Sequence, residues 1–229
     1  MYDTLLFDFD GTLAPSLELW LQSFQYALGK AGRAVPEDVI IRRFFYREFD
    51  DVVQEFDLPS GAEFGQHVHD GLMTAFATVT LFPGARDVLH WCRAQGLAVG
   101  LVTSSPRPQV ERALAQMGIA DFFPVVVTGS DVAHFKPHPE PVLLALKMLD
   151  KPASGALFIG DYQADILAGH AAGTQTALFL PPAHRKFYDF AALRALGPAF
   201  EFTDWAVLQT YLQVNVHSQE QGRFEQTSP

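Results

Sequence analysis

The chain has 229 residues, of which 48% are hydrophobic and 18% charged, so an intrinsically disordered protein is excluded and a large core can be buried. Its 26 acidic and 16 basic residues give a formal charge of −10, which disfavours nucleic acid and anionic membranes as partners. The single cysteine, Cys92, excludes an internal disulfide framework, and no apolar run is long enough to predict a membrane span. With an acidic start in place of a secretion signal, these features predict a cytoplasmic protein.

The first predicted element is a short apolar strand, Thr4–Phe7, that ends at a pair of aspartates. Residues 15–80 then show only helical patterns. Leu17, Leu21, Phe24 and Leu28 recur at the spacing of one helix face, and further helices are predicted at Glu37–Tyr46, Phe49–Phe56 and Ala62–Thr78. The sequence therefore predicts a helical cap domain inserted at residues 15–80.

From residue 81 onward, apolar strand patterns alternate with helical patterns. The predicted strands lie within Gly96–Ser105, Phe122–Asp131, Gly155–Asp161 and Thr174–Pro181, and the predicted helices are Pro108–Met117, Pro139–Leu149 and Ala164–Ala172. This alternation predicts an α/β fold, a doubly wound parallel sheet with helices on both faces. Residues 1–14 and 81–215 would form this core, and residues 216–229 would form a flexible tail.

Polar residues follow several of the predicted strands at the point where each strand ends. The carboxyl ends of parallel strands meet at one edge of a sheet, where ligands bind in open α/β folds. The residues concerned are Asp8, Asp10, Thr103, Ser104, Lys136, Asp161 and Asp165. Several carboxylates in one small space call for a hard cation, and all-oxygen ligands point to Mg²⁺. A lysine, hydroxyls such as that of Thr12, and a free carboxylate would then suit phosphoryl transfer.

Four segments resemble, in order, the motifs of the haloacid dehalogenase superfamily of phosphohydrolases. They are Leu5–Ala14 (LLFDFDGTLA), Gly100–Ser105 (GLVTSS), Phe135–Pro141 (FKPHPEP) and Phe158–Gly173 (FIGDYQADILAGHAAG). The helical insert is similar to the small cap of phosphoglycolate-phosphatase-like members. Tyr162 departs from the pattern, since relatives often carry serine there, and His170 departs in a similar way.

The resemblance implies a role for each motif residue. Asp8 would be the nucleophile that forms an aspartyl-phosphate, and Asp10 would protonate the leaving alcohol and then activate water. Thr103 would bind a phosphate oxygen and Lys136 would balance charge. Asp8, Asp161 and the backbone carbonyl of Asp10 would hold Mg²⁺, with Asp165 as a further ligand or an anchor behind the ligands.

The presence of Asp10 favours phosphate esters over carbon–halogen bonds, since dehalogenases proper lack this residue. The expected function is hydrolysis of a small phosphorylated metabolite. Two alternatives stay open: a phosphomutase of the β-phosphoglucomutase type, and a non-catalytic binding protein of the same fold. Arg43 and Arg47 in the cap are candidates for binding an anionic part of the substrate. Nothing in the sequence identifies the substrate or the oligomeric state.

Overall fold

The computed structural model describes residues 1–216 of the chain. Contacts divide it into two compact units, Pro15–Thr80 and the combination of Met1–Ala14 with the chain from Leu81 onward. Nearly all of the predicted tail lies outside the described residues, while Val216 forms an isolated parallel bridge with Tyr2. None of the helices within residues 1–216 combines the length and apolar character that crossing a bilayer requires.

The unit made of Met1–Ala14 and the chain from Leu81 onward is built on a six-stranded, fully parallel sheet. The strand order is β3-β2-β1-β4-β5-β6. The strands are β1 (Thr4–Phe7), β2 (Ala98–Val102), β3 (Val125–Val127), β4 (Ala156–Gly160), β5 (Gln175–Phe179) and β6 (Phe200–Phe202). The strand order reverses at β1, because the chain runs outward on one side through β2 and β3 and resumes on the other side at β4. The predicted doubly wound fold is confirmed, and this reversal is where such folds bind ligands.

Successive side chains of β1 point to opposite faces of the sheet, and both faces are buried. Leu6 lies in an apolar cluster with Val102 and Phe158, whereas Phe7 stacks on Trp205 with ring centroids 6.1 Å apart. Helices therefore cover both faces, as parallel sheets require. In chain order after the cap segment they are α5 (Ala85–Ala94), α6 (Arg107–Gln116), α7 (Glu140–Leu149), α8 (Gln163–Ala172), α9 (Phe190–Arg194) and α10 (Trp205–Asn215).

The other unit, Pro15–Thr80, has helices as its only regular secondary structure. It consists of α1 (Leu17–Lys30), α2 (Glu37–Arg43), α3 (Phe49–Phe56), α4 (Gly61–Ala75) and a 3₁₀ turn at Phe76–Thr78. Buried rings hold it together: the Phe24 and Phe44 centroids are 5.8 Å apart, and those of Phe44 and Phe64 are 6.0 Å apart. The helix predicted at Glu37–Tyr46 ends early at Arg43, and Tyr46 has a φ of 59°, a left-handed conformation that a helix cannot contain.

Candidate active site

Asp8 sits directly beyond the end of β1, at the reversal of strand order. Its backbone N–H donates to the Ile159 carbonyl at 2.8 Å, which extends the β1–β4 ladder by one residue. The side chain is buried. The sheet therefore fixes the position of this carboxylate, as expected for a residue that reacts from a rigid element.

Lys136 joins two of the predicted carboxylates. Its Nζ lies 2.6 Å from Asp8 Oδ1 and 2.6 Å from Asp165 Oδ1, and it also donates to the Val102 carbonyl at 3.2 Å. Burial acts to lower the pKa of Lys136, but the charges of Asp165 and Asp8 outweigh it and raise that pKa above its ordinary value. The lysine is thus positively charged beside Asp8 at neutral pH.

Three buried carboxylates lie together here, and two of them, Asp8 and Asp165, contact the Lys136 ammonium. Asp8, Asp161 and Asp165 each offer an oxygen, and the three oxygens lie within 4.8 Å of one another. Burial and the charge of Asp165 raise the pKa of Asp8 to about 7, and burial with the charges of Asp165 and Asp8 raises the pKa of Asp161. One lysine therefore leaves an excess of buried negative charge. The all-oxygen donor set and this charge fit a Mg²⁺ ion.

Asp165 belongs to the start of α8 as well as to the charge cluster. Its Oδ2 accepts the backbone N–H groups of Asp161 at 3.2 Å and Tyr162 at 3.0 Å, while its Oδ1 contacts Lys136. Acidic residues in the first turn are favoured because they satisfy free N–H groups there. These contacts are compatible with the expected role of an anchor, and the choice between ligand and anchor stays a prediction.

The second motif contacts Asp10 through a residue that the sequence did not single out. Ser105 Oγ donates to Asp10 Oδ2 at 2.6 Å, while the Ser105 backbone N–H donates to Thr103 Oγ1 at 3.1 Å. Thr103 and Ser105 are buried, whereas Ser104 is exposed. The only signal for Ser105 in the sequence was its place beside the predicted hydroxyl pair.

Thr12 and Gly11 bring the first motif against the fourth. Thr12 Oγ1 donates to Asp161 Oδ1 at 3.0 Å and lies 3.4 Å from Asp8 Oδ2, so its hydroxyl is engaged with carboxylates. Gly11 has a φ of 75°, and a Cβ there would lie 2.2 Å from Asp161 Oδ2. Glycine is required by both the backbone conformation and the close approach. The substrate contact expected for Thr12 stays a prediction.

Two further residues reach Asp161 from the chain that follows β5. The Tyr188 hydroxyl donates to Asp161 Oδ2 at 2.9 Å, and His184 Nδ1 lies 3.5 Å from the same oxygen. Burial lowers the pKa of His184 to about 4, so its imidazole is neutral at pH 7. This loop emerges at the same sheet edge as the motifs, which was the signal in the sequence that could have identified it.

Arg43 and Arg47, the two candidate arginines of the helical unit, both contact Glu55. Arg43 Nη2 lies 2.5 Å from Glu55 Oε1, and Arg47 Nη1 lies 2.6 Å from Glu55 Oε2. The two arginines therefore share one carboxylate, and their predicted contact with substrate stays a prediction.

A family model described as haloacid dehalogenase-like hydrolase matches residues 5–179. The chain belongs to this family. It is 38% identical over 183 residues to a pyrophosphatase PpaX of Bacillus cereus (strain G9842), a match that covers 76% of this chain and 82% of the relative. These similarities confirm the resemblance drawn from the four motifs and the expected enzyme class, a phosphatase of this superfamily.

Solved structures of the family share the fold. The crystal structure of a family hydrolase from Deinococcus radiodurans R1 with bound phosphate and sodium has a TM-score of 0.78 and 28% identity, and the match covers 93% of this chain and 96% of that one. A putative β-phosphoglucomutase from Thermotoga maritima has a TM-score of 0.76 at 22% identity, covering 93% and 100%. The latter shows the fold alone.

Proposed function

We propose that this protein is a Mg²⁺-dependent phosphatase that hydrolyses a small phosphorylated metabolite through an aspartyl-phosphate on Asp8. The observation that carries the proposal is the cluster of three buried carboxylates, two of them in contact with Lys136, with Asp8 at the end of the central strand. A structural ion pair would need one carboxylate for one ammonium. The extra carboxylates instead suit a site that receives a divalent cation and an electrophilic phosphorus.

Mg²⁺ would be held by Asp8 and Asp161 with the Asp10 carbonyl, with Asp165 as a further ligand or as the anchor that its contacts suggest, and it would neutralise charge on the phosphoryl oxygens. Lys136 holds Asp8 Oδ1 at 2.6 Å, whereas the contact seen for Oδ2 within residues 1–216 is the longer one of 3.4 Å with Thr12. Asp8 Oδ2 is therefore the less constrained oxygen and the better candidate for attack. In the first step an Asp8 oxygen bonds to phosphorus and the bond from phosphorus to the leaving oxygen breaks.

Asp10 would handle the protons of both steps. It donates a proton to the leaving oxygen in the first step and accepts one from the water that attacks phosphorus in the second, which releases phosphate and regenerates Asp8. The Ser105 hydroxyl holds Asp10 Oδ2 at 2.6 Å. This hydrogen bond would fix one oxygen of Asp10 and direct the other toward the reacting groups.

The substrate is proposed only as a class. The Bacillus cereus relative is named a pyrophosphatase, so inorganic pyrophosphate belongs among the first compounds to test. Arg43 and Arg47 are proposed to bind a second anionic group of the substrate, because Lys136 is the one cation among the predicted residues of the core site. A cytoplasmic location stays the expectation from the sequence.

The test is phosphate release from a generic aryl phosphate, from pyrophosphate and from a panel of phosphorylated metabolites. We expect release with Mg²⁺, loss of release in excess chelator, and recovery when Mg²⁺ is restored. Full activity in chelator would refute the proposal. The phosphomutase alternative is separated by product analysis, because a hexose phosphate would then give an isomeric sugar phosphate and no free phosphate.

A further inference from the structure

The two carboxylate oxygens of Asp161 have different surroundings. Oδ1 accepts a hydrogen bond from Thr12, whose hydroxyl also approaches Asp8, so Oδ1 lies on the side of the nucleophile. Oδ2 accepts the hydroxyl of Tyr188 at 2.9 Å. Asp161 and Tyr188 are both buried, which makes this hydrogen bond stronger than one in water.

Gly11 closes the other side of Oδ2. A Cβ at this position would lie 2.2 Å from Asp161 Oδ2, so the Gly11 backbone approaches this oxygen too closely for any side chain. Oδ2 therefore sits in a crevice between the Gly11 backbone and the Tyr188 hydroxyl. Asp161 is thus held in one rotamer, with Oδ1 as the oxygen directed toward Asp8.

The ring of Tyr188 is itself held in place. Its backbone N–H donates to the His184 carbonyl at 2.9 Å, and its ring lies 5.0 Å from that of Tyr162 and 5.5 Å from that of His184. Tyr162 is the position at which the fourth motif departs from its usual serine. The departure thus supplies an aromatic surface that orients Tyr188.

We propose that Tyr188 is a positioning residue for the metal site, which holds Asp161 Oδ2 so that Oδ1 is presented to Mg²⁺. The inference rests on the proposed function, since it assumes that Asp161 is a ligand. Outer groups that hydrogen-bond to a ligand carboxylate fix its orientation, and their loss typically weakens metal affinity by roughly ten- to a hundredfold.

The experiment is Mg²⁺ binding by calorimetry, without substrate, to the wild type, to Tyr188→Phe and to a control. Tyr188→Phe removes the hydroxyl and keeps the ring that packs on Tyr162 and His184. Tyr211→Phe is the matched control, because the Tyr211 hydroxyl pairs with that of Tyr2 at 3.0 Å and touches none of the motif residues named above. We expect the Kd for Mg²⁺ to rise about tenfold or more in Tyr188→Phe and to stay unchanged in Tyr211→Phe.

Activity measured against Mg²⁺ concentration gives a second readout. Tyr188→Phe should need more Mg²⁺ for half-maximal activity but approach the wild-type kcat at saturation. Equal Mg²⁺ affinity in the wild type and Tyr188→Phe would overturn the inference alone, whereas a wild type that binds no Mg²⁺ would overturn the proposed function with it. Should Tyr188→Phe fail to fold, ¹³Cζ-tyrosine NMR decides: Tyr→Phe variants of the other five tyrosines assign their signals, and the remaining signal, that of Tyr188, should shift when Mg²⁺ is added to the wild type. No shift of that signal would overturn the inference.

Discussion

Lys136 and Asp8 are 128 residues apart in sequence, yet the Lys136 ammonium lies 2.6 Å from Asp8 Oδ1. Because the same ammonium also contacts Asp165, it holds the first and fourth motifs in a fixed relation. A buried pair of this kind is costly to break, since removal of one partner leaves a buried charge uncompensated. The contact therefore links the stability of the core to the orientation of the nucleophile.

In the metal-free protein, the contribution of Asp8 to stability should fall as the pH rises from 3.8 to about 7, the interval between its ordinary and its raised pKa. Since the pKa of Asp8 is raised from 3.8 to about 7, the folded state retains a proton that the unfolded state has released. The free energy of unfolding should then fall with pH in this window, by up to roughly 1.4 kcal/mol per unit for this group. His184 acts oppositely, but only between its lowered pKa of about 4 and its ordinary 6.5.

Urea denaturation in chelator, at pH values from about 6.5 to 8, measures this effect as the difference between the wild type and Asp8→Asn, to which His184 contributes equally. Asp8→Asn should show a shallower decline, and excess Mg²⁺ should reduce the decline in the wild type because the ion replaces the proton. Identical slopes for the wild type and Asp8→Asn in chelator would contradict the assignment.

Ser105→Ala should lower kcat about ten- to a hundredfold, because a hydrogen bond to a charged group contributes roughly 1.5–3 kcal/mol. The Ser105 hydroxyl lies 2.6 Å from Asp10 Oδ2 and has no predicted contact with substrate, so KM should change little. Steady-state kinetics with an aryl phosphate provides the measurement. Ser105→Thr keeps a hydroxyl and should recover much of the activity, and an unchanged kcat in Ser105→Ala would show that Asp10 does not depend on this contact.

Gly11→Ala should destabilise the fold and abolish turnover. The new Cβ would lie 2.2 Å from Asp161 Oδ2, and the left-handed φ of 75° adds roughly 1 kcal/mol of strain. Gly197→Ala is the matched control, with a φ of 72° but no heavy atom within 4 Å of the added Cβ. Urea denaturation should therefore show a larger loss for Gly11→Ala, and equal losses would mean that only backbone strain matters.

Substitution of Arg43 or Arg47 should change the KM for the substrate in one direction, and substitution of Glu55 should change it in the opposite direction. If the arginines bind an anionic group, that group competes with Glu55, which now contacts both. Arg43→Ala and Arg47→Ala should raise KM for the physiological substrate, and Glu55→Gln should lower it. A small aryl phosphate, which lacks a second anionic group, serves as the control substrate, and its KM should stay the same. If the KM for the physiological substrate is unchanged in all three variants, the arginines do not bind the substrate.

The aspartates proposed as catalytic could be predicted to lie together, because they follow apolar runs and the parallel order of β1 and β4 brings the ends of these strands side by side. The strand predicted within Phe122–Asp131 is confirmed as the short strand Val125–Val127, which lies between 3₁₀ turns at Ala120–Phe122 and Gly129–Asp131. Strand β6 was not predicted from the sequence, because a strand of three residues is too short to show a hydrophobic pattern. Such boundaries depend on pairing partners that a local pattern does not contain.

The contacts that orient the site were harder to predict than the site itself. Tyr188 reaches Asp161 across 27 residues, through a turn after β5 that carries no motif. Ser104 was selected from the sequence and Ser105 was not, but Ser105 is the buried residue and the one that contacts Asp10. Both cases require knowledge of which way a side chain points after a strand ends, and this is set by tertiary packing rather than by spacing.

The central claim, that Asp8 carries the phosphoryl group, is tested most directly by trapping the intermediate. Enzyme quenched during turnover would be reduced with borohydride, which converts an acyl phosphate to an alcohol, and digested for peptide mass spectrometry. We predict homoserine at position 8 in the wild type and none in Asp8→Asn, which should be folded and inactive. Turnover without any reduction at Asp8, or full activity of Asp8→Asn, would contradict the account.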